Sequence, residues 1–316
     1  MTPTHWLWLL FNLFVLGMLA LDLGVFHRRA HALSHKEAAV WSAVWISLSL
    51  LFNLGVWHWQ GGQKALEFLA GYLVEWSLSL DNLFVFLVLF TYFKVPPRYQ
   101  HRVLFWGILG AVVMRGAMIA IGAALLATFH WVIYVFGGFL VVTGVRFARA
   151  HEISVHPEAN PLLRLLRGWV SVTRDFRQEH FFVREGGRWF ATPLFVVLVL
   201  VESSDLVFAV DSIPAIFAIT RDTFIVYTSN VFAILGLRSL YFLLAGLMPM
   251  FRYLNVGLGI ILSFVGVKML LSEAYKIPTL ASLAVIVVVL VVTIAASVWS
   301  ARQERLAAWP PGDKDA

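Results

Sequence analysis

Long apolar runs separated by short polar connections set the rhythm of this chain. Nine such runs lie at about residues 6–26, 40–59, 66–93, 103–127, 131–147, 190–217, 222–247, 252–271 and 280–299. Each approaches or exceeds the roughly 20 apolar residues that cross a bilayer as a helix. None alternates with the period of two that a barrel strand needs, and a bare backbone finds no hydrogen bonds in lipid. The pattern predicts helices, with the third and sixth runs long enough to be tilted or broken. The expected fold is an all-α polytopic membrane protein with about nine transmembrane helices.

Composition agrees. Of 316 residues, 60% are hydrophobic and only 13% charged, too little polar surface for a water-soluble domain of this size. Residues 1–5 carry no Lys or Arg and no small-residue cleavage site follows the first apolar run, so that run is expected to stay. The chain has no cysteine, which excludes disulfides, thiolate metal ligands and thiol redox chemistry.

The net charge of +6 is placed by topology. Arg28, Arg29 and Lys36 follow the first span, and Lys94, Arg98 and Arg102 follow the third. Seven arginines, from Arg149 to Arg188, fill the long connection after the fifth. The opposite connections hold only Lys64, Arg221 and Lys276. The positive-inside rule then predicts an inner-membrane protein with its N-terminus outside and its C-terminus cytoplasmic. Lipid, and no nucleic acid, is the partner these basic residues imply; protein partners are unknown. Residues 148–189 read as a cytoplasmic connector with a short amphipathic helix at 161–170.

Two stretches resemble each other. Glu75-Trp-Ser-Leu-Ser-Leu-Asp81-Asn82 and Asp205-Leu-Val-Phe-Ala-Val-Asp211-Ser212 each place an acid, five residues, a second acid and a small polar residue. The following span carries Ile-Leu-Gly at 108–110 before Arg115, and again at 234–236 before Arg238. The third carries Gly144-Val-Arg146, then Gly266-Val-Lys268. Three matches in order predict a three-helix repeat, spans 3–5 and 6–8. An odd number of helices inverts successive copies, the plan of many secondary transporters. The expected organisation is peripheral helices in 1–65, a first repeat in 66–147, the loop 148–189, a second inverted repeat in 190–271, and a last helix and tail in 272–316. Gly137, Gly138, Gly257 and Gly259 are expected to permit close helix packing.

Charge inside the membrane carries the chemistry, since each ionised group there costs about 2.5–3.5 kcal/mol or more. Glu75, Asp81, Glu202, Asp205 and Asp211 lie within predicted spans against three bases, Arg115, Arg238 and Lys268. A bound divalent cation, or protons, would neutralise the excess. Glu75, Ser79 and Asn82 share one helix face, as do Asp205, Ala209 and Ser212, with Glu202 near it. Asp81 and Asp211 lie roughly 120° away on an ideal helix, so they face Arg115 and Arg238 or join the site at a break. Pro214 favours such a break, freeing the Val210 carbonyl. The expected metal ligands are Glu75, Asp81, Asn82, Glu202, Asp205, Asp211 and Ser212, an oxygen-only set suited to Mn²⁺, Mg²⁺ or Ca²⁺. No catalytic residues and no resident cofactor are expected.

These acidic stretches are similar to the hallmark motifs of the TerC family. So are Thr228-Ser-Asn230-Val-Phe-Ala-Ile-Leu-Gly-Leu-Arg238 and the opening Leu21-Asp22-Leu-Gly-Val-Phe-His27-Arg28. The resemblance covers about residues 15–300 and is nearest an Alx-like branch. It implies membership of a transporter superfamily that includes the LysE exporters, association with manganese export and tellurite-resistance operons, and functional acids on the motif positions named above. The expected function is export of Mn²⁺ without enzymatic activity. The alternative is a non-transporting scaffold or a metal- or pH-responsive sensor acting through the cytoplasmic loop.

Overall fold

The computed structural model describes residues 3–26, 35–149, 171–244, 253–275 and 277–307. The helices are α1 (Pro3–Phe26), α2 (His35–Gln60), α3 (Gly62–Tyr92), α4 (Pro97–Thr128) and α5 (Val132–Arg149). A hairpin follows, β1 (Phe182–Glu185) and β2 (Arg188–Ala191). Then come α6 (Pro193–Phe217), α7 (Thr223–Leu235), α8 (Leu237–Leu244), α9 (Leu254–Leu270) and α10 (Thr279–Ala307). Each of the nine apolar runs is helical over most of its described residues. Seven of the resulting segments are long and apolar enough to cross a membrane, α7 and α8 counting as one, while Trp6–Leu21 and Leu254–Leu270 are shorter apolar helices. The molecule is an all-α polytopic membrane protein.

Local chemistry sets the ends. Gly61 adopts φ +89°, and its amide closes onto the Trp57 carbonyl at 3.0 Å, so α2 turns directly into α3. Pro97 and Pro193 open α4 and α6, where a missing amide proton removes no helical bond. Asp222 caps α7 by accepting from the amides of Phe224 (3.1 Å) and Ile225 (3.4 Å). With 31 residues, α3 is roughly 46 Å long at 1.5 Å per residue, so it tilts through a hydrocarbon core of about 30 Å.

Pro214 lies inside α6, which runs on to Phe217, so the expected break at Asp211 is absent. The proline falls in the last turn, where little helix remains to be lost. The interruption comes instead at Gly236, between α7 and α8. The expected amphipathic helix at 161–170 lies outside the described residues. Gly186 and Gly187, at φ +55° and +79°, make the two-residue turn of the hairpin, which the sequence reading did not anticipate.

Packing follows lipid as solvent. Leu10, Val113 and Val207 are more than half exposed, as lipid-facing side chains should be. The interior belongs to α3 and α7–α8, the most enclosed of the spans. α3 packs on α6 and α7, α4 packs on the same two helices, and α5 packs on α9. The α5–α9 crossing is a backbone contact. A Cβ added at Gly144 would stand 2.6 Å from the Gly259 carbonyl oxygen, and one at Gly266 would stand 2.7 Å from that of Gly137. Gly257 similarly abuts Thr293 of α10, whereas Gly138 faces open space and packs against nothing within 4 Å.

Polar contacts fasten each end of the bundle. At one, Lys64 pairs with Asp222 (3.1 Å) and Gln63 donates to Thr279 (2.8 Å). At the other, Arg102 pairs with Glu179 (3.2 Å) and Tyr241 donates to Gln100 (3.2 Å). Connections that the basic-residue pattern groups on one side do meet in space. Gly144→Ala should lower the unfolding temperature in detergent, the overpacking costing about 1–3 kcal/mol. Gly138→Ala should leave it unchanged, and equal melting of the two variants would contradict this crossing.

Candidate functional site

α3 presents Glu75, Ser79 and Asn82 on one face, all essentially sealed from solvent. α6 presents Asp205, Ala209 and Ser212, also buried, so both predicted faces turn inward. α4 sends Arg115 between them. Its Nε donates to Asp205 Oδ2 (3.1 Å) and its Nη2 to Asp205 Oδ1 (2.8 Å), a two-pronged pair. Its Nη1 donates to Glu75 Oε1 and to Ser212 Oγ (3.3 Å). Asn82 Nδ2 donates to Asp205 Oδ1 at 3.3 Å.

The electrostatics are unequal. One guanidinium serves two carboxylates, so the ionised cluster carries one net negative charge in a medium that penalises it. Among the described residues three oxygens around it have no hydrogen-bond partner: Glu75 Oε2, Ser79 Oγ and Asn82 Oδ1. A buried polar atom left unpaired costs about 1–3 kcal/mol. All three carry lone pairs, and all come from the same face of α3. Oxygen donors around excess negative charge are the environment a hard cation seeks.

The remaining predicted residues are dispersed. Glu202 is one turn before Asp205 on α6, and its carboxylate lies against Gly110 of α4, where any side chain would collide with it. The Gly in Ile-Leu-Gly thus makes room for an acid, and Glu202 Oε2 too has no hydrogen-bond partner among the described residues. Asp211 is half-buried beside the Thr143 hydroxyl of α5, away from Arg115. Of the two alternatives for Asp211, facing an arginine or joining the site at a break, neither is seen; the partners of Arg115 are Glu75 and Asp205. The side chains of Asp22 and Asp81 lie outside the described residues. Arg238 is buried at the start of α8. Lys268 does not reach the central acids; its nearest opposite charge is Glu67. Among the described residues no group of three or more His, Asp and Glu is gathered closely enough to hold a metal by itself. Of the seven expected ligands, Glu75, Asn82, Asp205 and Ser212 gather around Arg115, and Glu202 and Asp211 lie apart from them on α6.

Sequence reasoning passed over two buried polar residues. Glu67, in the first turns of α3, accepts from Thr220 Oγ1 (2.5 Å) and pairs with Lys64 (3.0 Å). Asn230 is fully buried in α7, and neither amide atom has a hydrogen-bond partner among the described residues. Their signal was present in the chain: a carboxylate and an amide inside otherwise apolar runs.

Comparison with known proteins places this arrangement. The model for "Integral membrane protein TerC family" matches residues 60–305. An uncharacterised membrane protein of Myxococcus xanthus is 53% identical over 98% of this chain and 96% of its own. The Escherichia coli K12 protein Alx, whose name proposes a membrane-bound redox modulator, is 51% identical over 94% of this chain and 95% of its own. A membrane protein of Rickettsia bellii is 40% identical over 92% and 96%. No solved structure matches. The match spans most of the chain, including every helix that builds the buried cluster, and the chain belongs to the TerC family of integral membrane proteins.

Proposed function

We propose that this protein is a secondary transporter exporting a divalent metal cation, Mn²⁺ foremost, through the cluster of Glu75, Asp205, Asn82 and Ser212. The observation that carries the reading is the buried pair of carboxylates sharing one arginine, with unpartnered Glu75, Ser79 and Asn82 oxygens beside them. In this state Arg115 is the resident cation. A metal entering from one side takes over its carboxylates and uses the free oxygens, and Arg115 returns as the metal leaves. The exchange keeps the buried charge compensated at each stage. An all-oxygen donor set favours hard cations over Zn²⁺ or Cu⁺. Glu202 and Asp211, half-buried on α6, are approach ligands along the same helix.

The inverted repeat supplies a means of alternating access. Exchanging α3 with α6, α4 with α7–α8, and α5 with α9 carries the strongest helix pairings onto themselves: α3–α7 becomes α6–α4, while α3–α6 and α5–α9 are unchanged. The same exchange turns the Gly137–Gly266 contact into Gly259–Gly144. Both support a two-fold axis through the Arg115 cluster. We place the protein in the inner membrane with the hairpin on the cytoplasmic side, following the basic residues. The redox role in the name Alx has no thiol to act through in this chain.

A second reading, a scaffold or sensor acting through the 148–189 loop, is favoured by one observation. The hairpin is a folded element with Phe182 and Trp189 exposed on it.

Glu75→Gln and Asp205→Asn should each abolish manganese tolerance while the protein still reaches the membrane folded, whereas deleting 182–191 should leave tolerance intact. The opposite pattern would favour the scaffold. Intracellular manganese that does not rise in a deletion strain under Mn²⁺ excess would refute export. Arg115→Met strands two buried carboxylates and should destabilise the protein by about 3–5 kcal/mol. Adding Asp205→Asn should recover much of that loss in a thermal melt, and a double variant no more stable than Arg115→Met would contradict the shared-arginine account.

A further inference from the structure

At the end of the bundle away from the hairpin, a cavity of about 240 Å³ opens between the α6–α7 connection, the end of α9 and the start of α10. Its polar lining comprises Thr220, Arg221, Lys268, Ser272, Tyr275 and Thr279. The hydrogen-bonding capacity there is lopsided. Thr220 gives its proton to Glu67 and accepts from the Asp222 amide at 3.2 Å. Thr279 Oγ1 accepts from Gln63, which leaves its own proton to donate. Glu67, the carboxylate nearest Lys268, already accepts from Lys64 (3.0 Å), Gln63 (3.3 Å) and Thr220. Asp222 is taken by Lys64 and by the amides it caps. Lys268 is itself only 9% exposed, and no described group hydrogen-bonds its ammonium. No described group hydrogen-bonds the Ser272 hydroxyl either.

What remains facing the cavity is therefore donors: an ammonium, a guanidinium at the rim and the Ser272, Thr279 and Tyr275 hydroxyls. The carboxylates near the cavity are Glu67 and Asp222, both engaged, and Glu273, which accepts from the Tyr134 hydroxyl. We infer that this cavity binds a small phosphate-class oxyanion, with Lys268 as its principal ligand, Arg221 at the rim, and Ser272 and Thr279 donating through their hydroxyls. Charge-assisted donors in a partly desolvated pocket are what such an anion requires. An inorganic phosphate and the phosphodiester of a lipid headgroup present the same chemistry here. The inference is independent of the transport reading, because the central acids take no part in it.

The absence of native cysteine makes the test direct. Ile277 lines the cavity but donates nothing, so the full chain carrying Ile277→Cys reports on its occupancy. The rate of modification by a charged, water-soluble maleimide is measured in maltoside detergent, which carries no phosphate, with and without inorganic phosphate at matched ionic strength in chloride. The thiol should react, phosphate should slow it several-fold, and chloride should not. Lys268→Gln in the same background should abolish the protection. Slowing in phosphatidylglycerol discs without added phosphate assigns the oxyanion to a headgroup, and slowing only on addition assigns it to the free ion. A thiol that never reacts, a rate indifferent to phosphate and to lipid, or protection that survives Lys268→Gln each overturns the inference.

Discussion

The guanidinium of Arg115, held by Asp205 from one helix and Glu75 from another, is the interaction around which the bundle is organised. None of these three charges is tolerable in hydrocarbon alone. Each becomes tolerable only when α3, α4 and α6 meet at one depth with the right faces inward. The cluster therefore acts as a register pin. Sliding any of the three helices by a turn would separate the pairs, at a cost that lipid gives no means of recovering. The compensation is nevertheless incomplete, and the surplus negative charge and spare oxygens are what make the pin a candidate binding site rather than a simple staple.

The other contacts hold that meeting point in place. α5 and α9 approach backbone to backbone through Gly137, Gly144, Gly259 and Gly266, a rigid brace that needs no polar group. The bundle ends are tied by Lys64, Glu67, Thr220 and Asp222 at one face and by Arg102 with Glu179 at the other. A device that alternately exposes its centre must release one end tie while keeping the brace, and the separation of these two kinds of contact along the chain is compatible with such motion.

Much of this was legible in the chain. The helices follow from apolar run length, because lipid allows a long apolar segment little besides a helix. The faces of Glu75–Ser79–Asn82 and Asp205–Ala209–Ser212 follow from helical periodicity alone. Partner choice was not legible. Arg115 binds the first acid of each motif, Glu75 and Asp205, because helix crossing depth and not spacing along one helix selects partners. Pro214 promised a break that does not occur, since it sits in the closing turn of α6. Gly110 was visible only as a repeat marker, and its function of clearing space for Glu202 needs the neighbouring helix to be seen. The hairpin was missed despite Gly186-Gly187, where two consecutive residues at positive φ between apolar-rich strands are a recognisable turn signal.

The most direct measurement of the central claim is anomalous diffraction at the manganese edge from crystals of the protein grown with Mn²⁺. The account predicts a single dominant peak among Glu75, Asn82 and Asp205, with the Arg115 side chain withdrawn from the two carboxylates to admit it. A crystal saturated with Mn²⁺ that shows Arg115 still seated between Glu75 and Asp205 and no manganese beside them would contradict it.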